Sequence, residues 1–391
     1  MKPSGNLSAA AALSRNPDSA TAIHESVEGI LDRLGGNPDI AVVFFTPDHN
    51  NRAEEICAEL HHGLGPETLI GASASGVIAG ALEVEHGPGI AVWAARVPGA
   101  RAQSFALEFE HSGDGGLVRG WPDVGEEASV VLLADPYSFP LSPFLSSLRK
   151  NAKMPSIVGG VVSGGSRPGS NRIIIDHRVQ TGGVAGLVMD GMAAVEPLVA
   201  QGCCPVGHRF VVTRCEDNVV LELDNQPAYQ SLAQMLEGLN EEESRRFRHA
   251  PQVGLGKVSS LGELGPSGFV IRGVVGIDPD SGAVAVSDQV HDGMALQFHA
   301  RDKTTAHHQM VDALGLASGL YPEAAGALMF ACTGRGEGLF GKPSHDAGIT
   351  SVYFPDLPVA GMFSAGEIGT VCGMPYIHGF SISMGLLVER E

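Results

Sequence analysis

The sequence is poor in positive charge, and this shortage excludes two classes of partner. Of its 391 residues, 25 are Lys or Arg and 44 are Asp or Glu, which gives a formal net charge of −19. Binding to nucleic acid or to anionic lipid depends on clustered cations, and the sequence contains no run of Lys or Arg. We therefore expect no nucleic-acid partner and no membrane partner.

The sequence also lacks long apolar runs and closely spaced cysteines. No apolar stretch reaches the roughly 18 residues that a membrane-spanning helix needs. Residues 1–19 lack the continuous apolar segment of a secretory signal, and we interpret them as a loose leader. No CxxC pair occurs, so the pattern predicts reduced thiols in a cytoplasmic protein. The six cysteines are Cys57, Cys203, Cys204, Cys215, Cys332 and Cys372.

A strand–helix–strand pattern occurs three times. In each copy an apolar strand ends in a turn, a crossover follows, and a second strand runs into Gly and Ser residues. The first strands are 40–45, 129–134 and 326–331, the second strands are 68–76, 156–165 and 357–369, and the trailing strands or hairpins are 90–95, 172–189 and 378–388. Such crossovers join parallel strands, so each copy predicts a parallel pair within a mixed sheet.

The segment between the second and third copies has a different pattern. A hairpin is predicted over 208–223, and an antiparallel meander is predicted over 269–299. The sequence therefore predicts an α/β fold, with mixed sheets built from repeated strand–helix–strand units with trailing hairpins, plus an antiparallel meander. If the copies superpose, equivalent places at the strand ends are occupied by Thr46-Pro47, Asp135-Pro136 and Cys332-Thr333.

The strand ends are the first candidate site, because ligands of open α/β sheets bind beyond the carboxyl ends of the strands. Small residues there let a ligand approach backbone N–H groups. The alternative, in which the glycines only turn the chain and allow close packing, stays open. The candidate ligand-binding residues at these ends are Ser73, Ser75, Asp135, Ser163, Cys332, Thr333, Arg335 and Glu367.

Two arginines are candidates for binding a carboxylate. Arg335 lies in the turn Cys332–Gly336, where its guanidinium could bind a carboxylate through two hydrogen bonds. It could equally pair with Glu367 and only hold the shape of the turn. Arg272 lies within a predicted strand and needs an anion, a paired acid or exposure to solvent. Glu367 or Asp135 would bind an amine of the same ligand.

Metal and cofactor signals are weak. The cysteines and histidine of residues 203–215 do not form the two spaced pairs of a zinc module, so no metal site is assigned. No cofactor is assigned either, with haem left open as an alternative. The candidate haem ligands are Cys204, in the dipeptide Cys204-Pro205, and His177, His208 and His378.

An enzyme is a further alternative. Cys332 or Ser163 could be the nucleophile of a hydrolase or lyase, since reactive groups concentrate at the strand ends. A nucleophile of this kind needs a base, and the sequence singles out no histidine for that role. We therefore assign no catalytic residue.

Taken in order, several segments resemble the FIST family of sensory domains. They are Val42–His49, Leu69–Gly76, Gln201–Gly207, Val220–Asp224, Phe269–Arg272, Met294–Gln297, Phe330–Gly336 and Gly366–Gly369. The resemblance extends from about Ile40 to Leu387. It implies a leader and first helix at 1–38, an N-terminal FIST-like domain at 39–225 and a C-terminal FIST-like domain at 226–391.

The resemblance implies an intracellular sensor of small ligands, with amino acids or related small carboxylates suggested. One subgroup of the family is reported to bind haem and to sense nitric oxide together with a histidine kinase. Residues 1–38 offer no room for a kinase, a cyclase or an F-box, so the resemblance implies a free-standing sensor with a partner protein. The family supplies no established catalytic residues, so the candidate residues above rest on their own chemistry.

Overall fold

The computed structural model describes residues 7–112, 115–150, 154–257, 269–371 and 373–390, so Cys372 lies outside the described residues. The chain forms two compact units. The first contains Met1–Val199, Met310–Ile377 and Ser381–Glu391, and the second contains Ala200–Gln309 and His378–Phe380. Strands are numbered β1 to β26 and α-helices α1 to α8 along the chain.

Three mixed sheets make up the first unit. Across the first sheet the strands are β1 (Ser8–Ser14), β6 (Ile90–Arg96), β2 (Ile40–Phe45), β3 (Thr68–Ser73), β11 (Ile173–Ile175) and β12 (Arg178–Gln180). Across the second they are β8 (Gly115–Arg119), β7 (Ala100–Ser112), β13 (Val184–Gly191), β9 (Ser129–Ala134), β10 (Ser156–Val161), β24 (Glu367–Val371) and β25 (Met374–His378). Across the third they are β14 (Ala193–Ala200), β26 (Ile382–Glu389), β22 (Gly326–Cys332), β23 (Val359–Ser364), β4 (Val77–Ala79) and β5 (Leu82–Val84).

Short helices accompany these sheets. In the first unit they are α1 (Ser19–Leu34), α2 (Ala53–Leu64), α3 (Leu141–Leu148), α7 (Gly336–Phe340) and α8 (His345–Tyr353), with a 3-10 turn at Pro47–Arg52. Those of the second unit are α4 (Ala228–Glu237) and α5 (Glu241–His249). The boundary between the units falls within α6 (Lys303–Leu320).

The three predicted copies have the same strand pairing. In each, the first strand is parallel to the second and antiparallel to the trailing strand: β2 with β3 and β6, β9 with β10 and β13, and β22 with β23 and β26. At the end of each first strand, one N–H group donates to the carbonyl oxygen of the residue just before the trailing strand of the same copy. The donors are Thr46, Asp135 and Cys332. This equivalence confirms the predicted repeat and the α/β class.

Each sheet is completed by a hairpin from another copy. The β4–β5 hairpin of the first copy joins the sheet of the third, β11–β12 of the second joins the sheet of the first, and β24–β25 of the third joins the sheet of the second. The copies therefore interlock in a cycle and bury one continuous core. The third crossover, predicted as a loose segment, contains α7 and α8.

Residues 8–14 do not belong to a loose leader, so that interpretation is wrong for this segment. β1 pairs antiparallel with β6 along its whole length, from Ser8 opposite Arg96 to Ser14 opposite Ile90. Ala10, Ala12 and Ser14 are buried. Small side chains at alternate positions let this edge strand lie against the core, although they give a weak strand signal in the sequence.

One glycine in each second strand lies against the carbonyl group of the first strand. Gly71, Gly159 and Gly361 stand opposite Val43, Leu132 and Met329 in register. A Cβ on Gly71 would lie 2.6 Å from the Val43 carbonyl oxygen, and at the other two glycines the contact would be closer still. The repeat thus requires glycine at this position in every copy.

Gly361→Ala is therefore expected to destabilise the protein by about 1–3 kcal/mol, the usual cost of overpacking a core. The new methyl group meets main-chain atoms of Met329, which cannot rotate away. Urea unfolding followed by circular dichroism measures the change. Gly338→Ala in α7 is the matched control, because its Cβ would have no neighbour within 4 Å. Equal unfolding midpoints for the two variants would contradict the prediction.

The second unit is built on a closed ring of six antiparallel strands. They are β15 (Cys203–Glu216), β21 (Met294–Arg301), β18 (Pro251–Lys257), β19 (Val270–Asp278), β20 (Ala283–Val286) and β16 (Val219–Leu223), and β17 (Gln226–Pro227) extends the edge of β16. β16 pairs back onto β15, which closes the ring. The antiparallel pairing predicted for 269–299 is present between β19 and β20, while β21 joins β15 and β18. Apolar side chains form a core within this unit.

Candidate functional site

The ends of the three second strands meet in the first unit. The Ser75 N–H donates to Ser163 Oγ at 2.9 Å, and Ser163 Oγ donates to the Phe363 carbonyl oxygen at 2.5 Å. The Gly164 N–H donates to the Ser73 carbonyl oxygen at 3.2 Å. The structure thus brings the predicted residues Ser73, Ser75 and Ser163 together, and Ser75 is exposed at this edge.

Asp135 is buried beside the same strand ends and is fully hydrogen-bonded. Its Oδ1 accepts from Asn171 Nδ2 at 2.7 Å, and its Oδ2 accepts from Ser138 Oγ at 2.6 Å and from the Tyr137 N–H at 3.1 Å. Asn171 is connected to the strand ends through the next residue, because the Arg172 N–H donates to Ser73 Oγ at 2.9 Å. These hydrogen bonds therefore fix the Asp135 carboxylate, which is linked to Ser73 through Asn171 and Arg172.

Three buried polar atoms here have no hydrogen-bond partner among the described residues: His49 Nε2, Asn50 Oδ1 and Asn171 Oδ1. The Nδ2 atoms of both asparagines donate to acceptors, Asn50 to the Ser170 carbonyl oxygen and Asn171 to Asp135, so the amide oxygens are the unused atoms. Buried polar atoms are nearly always paired. Within the described ranges, each of these three atoms therefore lacks the partner that a buried polar atom normally has.

We name His49, Asn50, Ser73, Asp135 and Asn171 the strand-end polar cluster. His49 is fully buried, and its Nδ1 lies 2.8 Å from Ser19 Oγ. Burial lowers the pKa of the His49 imidazole, despite the opposing negative charge of nearby acids. The ring is therefore neutral near pH 7 and presents Nε2 as a donor or an acceptor according to its tautomer.

Arg172 adjoins this cluster and carries a charge without an acid partner in the described part of the chain. Its Nη1 donates to the carbonyl oxygens of Gly169 and Asn171, at 3.1 and 2.8 Å. Its side chain is partly exposed. The guanidinium is thus held by main-chain acceptors while its charge remains uncompensated by a carboxylate.

Arg335 forms a buried ion pair with an acid of the same unit. It is 1% exposed, and its Nε and Nη2 donate to the two carboxylate oxygens of Asp346 at 2.8 Å each. Burial alone would raise the pKa of Asp346, but the charge and hydrogen bonds of Arg335 lower it to about 2. The sequence allowed an ion pair between Arg335 and Glu367, but the acid that pairs with Arg335 is Asp346. Asp346 lies at the start of α8 and reaches the guanidinium in a bidentate geometry.

Glu367 is fully buried near Ser381. Its Oε2 accepts from the Ser381 N–H at 3.2 Å and from Ser381 Oγ at 2.7 Å, and its Oε1 accepts from Ser364 Oγ at 3.5 Å. Burial raises the pKa of Glu367 to about 8, which the hydrogen bonds and the Arg335 charge only partly oppose. The protein therefore encloses Glu367 in surroundings that favour its protonated form.

The two nucleophile candidates, Cys332 and Ser163, form hydrogen bonds with main-chain groups. Cys332 is 8% exposed, and its Sγ accepts from the Gly334 N–H at 3.5 Å. The Ser163 hydroxyl donates to a main-chain carbonyl, as described above. Neither of these contacts supplies the base that a nucleophile needs. Thr333, by contrast, is exposed at the end of its strand.

Arg272 belongs to the second unit, whereas the other eight candidates belong to the first. Its Nε donates to Asp288 Oδ2 at 2.6 Å, and its Nη1 donates to the Ile271 carbonyl oxygen at 2.9 Å. Arg272 thus has the paired acid that an arginine in a half-buried strand requires.

Family models match nearly the whole chain. The FIST N domain matches residues 39–226, and the FIST C domain matches residues 228–370. The chain belongs to the FIST family. It is 36% identical over 376 residues to an uncharacterized protein of Mycobacterium bovis, covering 95% of this chain and 97% of the relative. It is also 35% identical over 380 residues to an uncharacterized protein of Mycobacterium tuberculosis, covering 96% and 98%.

FIST domains are associated with the sensing of small ligands in signal transduction. In the described ranges of this FIST protein, no helix combines the length and the apolar character needed to cross a membrane. Within the same ranges, no three His, Cys, Asp or Glu side chains are grouped so as to hold a metal ion.

The candidate haem ligands lie in different surroundings. Cys204 Sγ donates to the Ala300 carbonyl oxygen at 3.4 Å, and burial raises the pKa of its thiol. Iron binding at Cys204 would therefore have to displace the thiol proton. The His177 ring stacks on His61 at 3.8 Å between centroids, and the His208 ring lies 4.2 Å from that of Phe210. Haem binding by this FIST protein stays a prediction.

Sequence reasoning missed His49, Asn50, Asn171 and Arg172. A usable signal existed for His49, because it lies three residues after Thr46 in the first copy, as Ser138 lies three residues after Asp135 in the second, and Asn50 follows it directly. Asn171 and Arg172 lie in the connection between β10 and β11, where no periodic pattern marks a position. Their place beside Ser73 is set by the strand pairing of β11 with β3.

Proposed function

We propose that this FIST protein is a cytoplasmic sensor of an amino acid or a related small carboxylate, which binds at the strand-end polar cluster. Its output would be a partner protein such as a histidine kinase. The observation that carries the proposal is the set of three buried, unpartnered polar atoms on His49, Asn50 and Asn171. A protein that buries such atoms without compensation loses stability, which a bound polar ligand restores.

The chemistry of the cluster matches an ammonium group. The unused atoms of Asn50 and Asn171 are both amide oxygens, which only accept hydrogen bonds. The Asp135 carboxylate lies on the far side of the Asn171 amide and adds negative charge. An ammonium carries three donors and one positive charge, so it suits two acceptor oxygens near an acid.

The carboxylate of the same ligand would be bound by Arg172. Its Nη1 is used by two carbonyl oxygens, whereas its Nε and Nη2 make no hydrogen bond in the described part of the chain. These two nitrogens form an edge that suits a bidentate carboxylate. Arg172 thereby takes the role that the sequence suggested for Arg335 and Arg272, both of which are paired with internal acids.

Arg172→Gln is expected to weaken amino-acid binding about tenfold or more, the usual effect of losing a charge-assisted hydrogen bond. Thermal-shift screening of the twenty standard amino acids would first find the ligand, and calorimetry would then compare the variants. Arg167→Gln is the matched control, since Arg167 is an exposed arginine of the same connection. We expect it to bind like the wild type, and both variants to melt like it.

The corresponding ligand analogues test the two ends of the site separately. Removing either the amino group or the carboxylate from the best ligand should weaken binding by a similar factor, because each end has its own partners. Unchanged binding by Arg172→Gln would remove Arg172 from the site. No binding of any amino acid would overturn the proposed ligand class.

A further inference from the structure

The second unit contains a cavity of about 420 Å³ between α4, β16 and the first half of β15. This volume lies within the range of small-molecule sites, about 300–1,000 Å³. Its floor is apolar and buried, with Phe210, Leu223 and Met235 each at most 5% exposed. Its rim is polar and exposed, with His208 and Asp224 among its residues.

The backbone at Gly207 keeps the cavity open. Its φ of +66° lies in the left-handed region, and a Cβ placed on it would run into Met235 Cγ. A residue with a side chain is therefore disfavoured here by both conformation and space. Met235, on the opposite wall, is a flexible apolar side chain that adapts to ligands of different shape.

The charge at the rim is negative. Among the described residues that line the cavity, none is Lys or Arg, and Asp224 is the one acid. Asp224 Oδ1 accepts from the Val211 N–H at 2.9 Å, which fixes the carboxylate, and the residue is exposed. A cationic group therefore suits this rim, and a carboxylate would be repelled by it.

We propose that this cavity is a second ligand site, which binds a small amine with an apolar body. The apolar body would lie on Phe210, Leu223 and Met235, and the ammonium would pair with Asp224. Burial of the body supplies affinity, and the charge pair supplies orientation. This site differs in chemistry from the amino-acid site proposed for the first unit, and the two proposals are independent.

Calorimetry with 2-phenylethylamine tests the proposal, with 3-phenylpropionate as the probe of similar body and opposite charge. We expect the amine to bind and the carboxylate to fail. Asp224→Asn should weaken amine binding about tenfold or more, as for the loss of a charge-assisted hydrogen bond. This variant keeps an oxygen for the Val211 N–H, and Asn tolerates the left-handed backbone, so the fold is expected to persist.

A second pair of variants tests the location. Gln234 lines the cavity on α4 and is exposed, so Gln234→Trp is expected to fill the opening and abolish amine binding. Gln230→Trp is the matched control, because Gln230 is exposed on the same helix and does not line the cavity. Equal binding of amine and carboxylate, unchanged binding by Asp224→Asn, or loss of binding in both Trp variants would each overturn the proposal.

The two proposed sites can fail separately. Arg172→Gln should leave 2-phenylethylamine binding unchanged, and Asp224→Asn should leave amino-acid binding unchanged. If 2-phenylethylamine shows no binding at concentrations up to about 10 mM, its affinity is weaker than the usual range of specific sites. This result would overturn the amine site and would not bear on the site proposed for the first unit.

Discussion

Arg335→Met is expected to destabilise the protein by about 3–5 kcal/mol, the usual cost of breaking a buried ion pair. The side chains of Arg335 and Asp346 are 0% and 1% exposed, so the substitution leaves a carboxylate buried without its cation. Met fills part of the volume that the arginine side chain leaves, so the loss of stability is mainly electrostatic. Urea unfolding monitored by circular dichroism gives the free energy of unfolding.

The double variant Arg335→Met/Asp346→Leu is the matched control. Apolar replacement of both partners removes the uncompensated charge, so we expect it to regain most of the lost stability. Incomplete recovery is expected because the Asp346 carboxylate also contacts His345 Nδ1 at 3.0 Å. A single variant that unfolds at the wild-type urea concentration would show that Arg335 does not hold this turn.

The sequence identifies Arg335 as unusual but cannot identify its partner. A guanidinium in a glycine-rich turn after a buried strand needs an anion, which the pattern alone indicates. Asp346 lies eleven residues further on, at the start of α8, in a crossover whose sequence shows no clear helical period. The choice between a ligand, Glu367 and Asp346 therefore depends on the folded path of that crossover.

The three repeats were predictable because local and global signals agree. Each first strand is a continuous apolar run, which is typical of a strand buried on both faces. The cyclic exchange of hairpins was not predictable in the same way. β4 and β5 contain three residues each, and β4 pairs with residues 360–362, far along the chain. Such short strands take their partners from the tertiary fold.

The candidate site was predictable only in outline. The strand-end rule located Ser73, Ser75, Asp135 and Ser163, which the structure does bring to one edge. It could not show that Asn50 and Asn171 each leave a buried amide oxygen unused, since this depends on which atoms their amide nitrogens meet. Unsatisfied hydrogen bonding is a property of the folded geometry and leaves no trace in the sequence.

Glu367→Gln is expected to make the stability of the protein less dependent on pH. Burial raises the pKa of Glu367 to about 8 from its ordinary value of 4.5. Between these values the folded protein keeps a proton that the unfolded chain releases, so the wild type loses stability as pH rises. The stability that protonated Glu367 contributes to the folded protein is fully present below about pH 4.5 and is lost progressively up to about pH 8.

Measured between pH 5 and 8, the free energy of unfolding of the wild type should fall more steeply than that of Glu367→Gln, by about 1.4 kcal/mol per pH unit. Glutamine matches the shape of the protonated side chain, and its amide oxygen can still accept from Ser381 while its Nε2 donates to Ser364 Oγ, so the variant is expected to fold. At pH 8 it should be the more stable protein. Parallel stability curves for the two proteins would mean that Glu367 is charged in the folded state, with Arg335 as the nearby cation that compensates it.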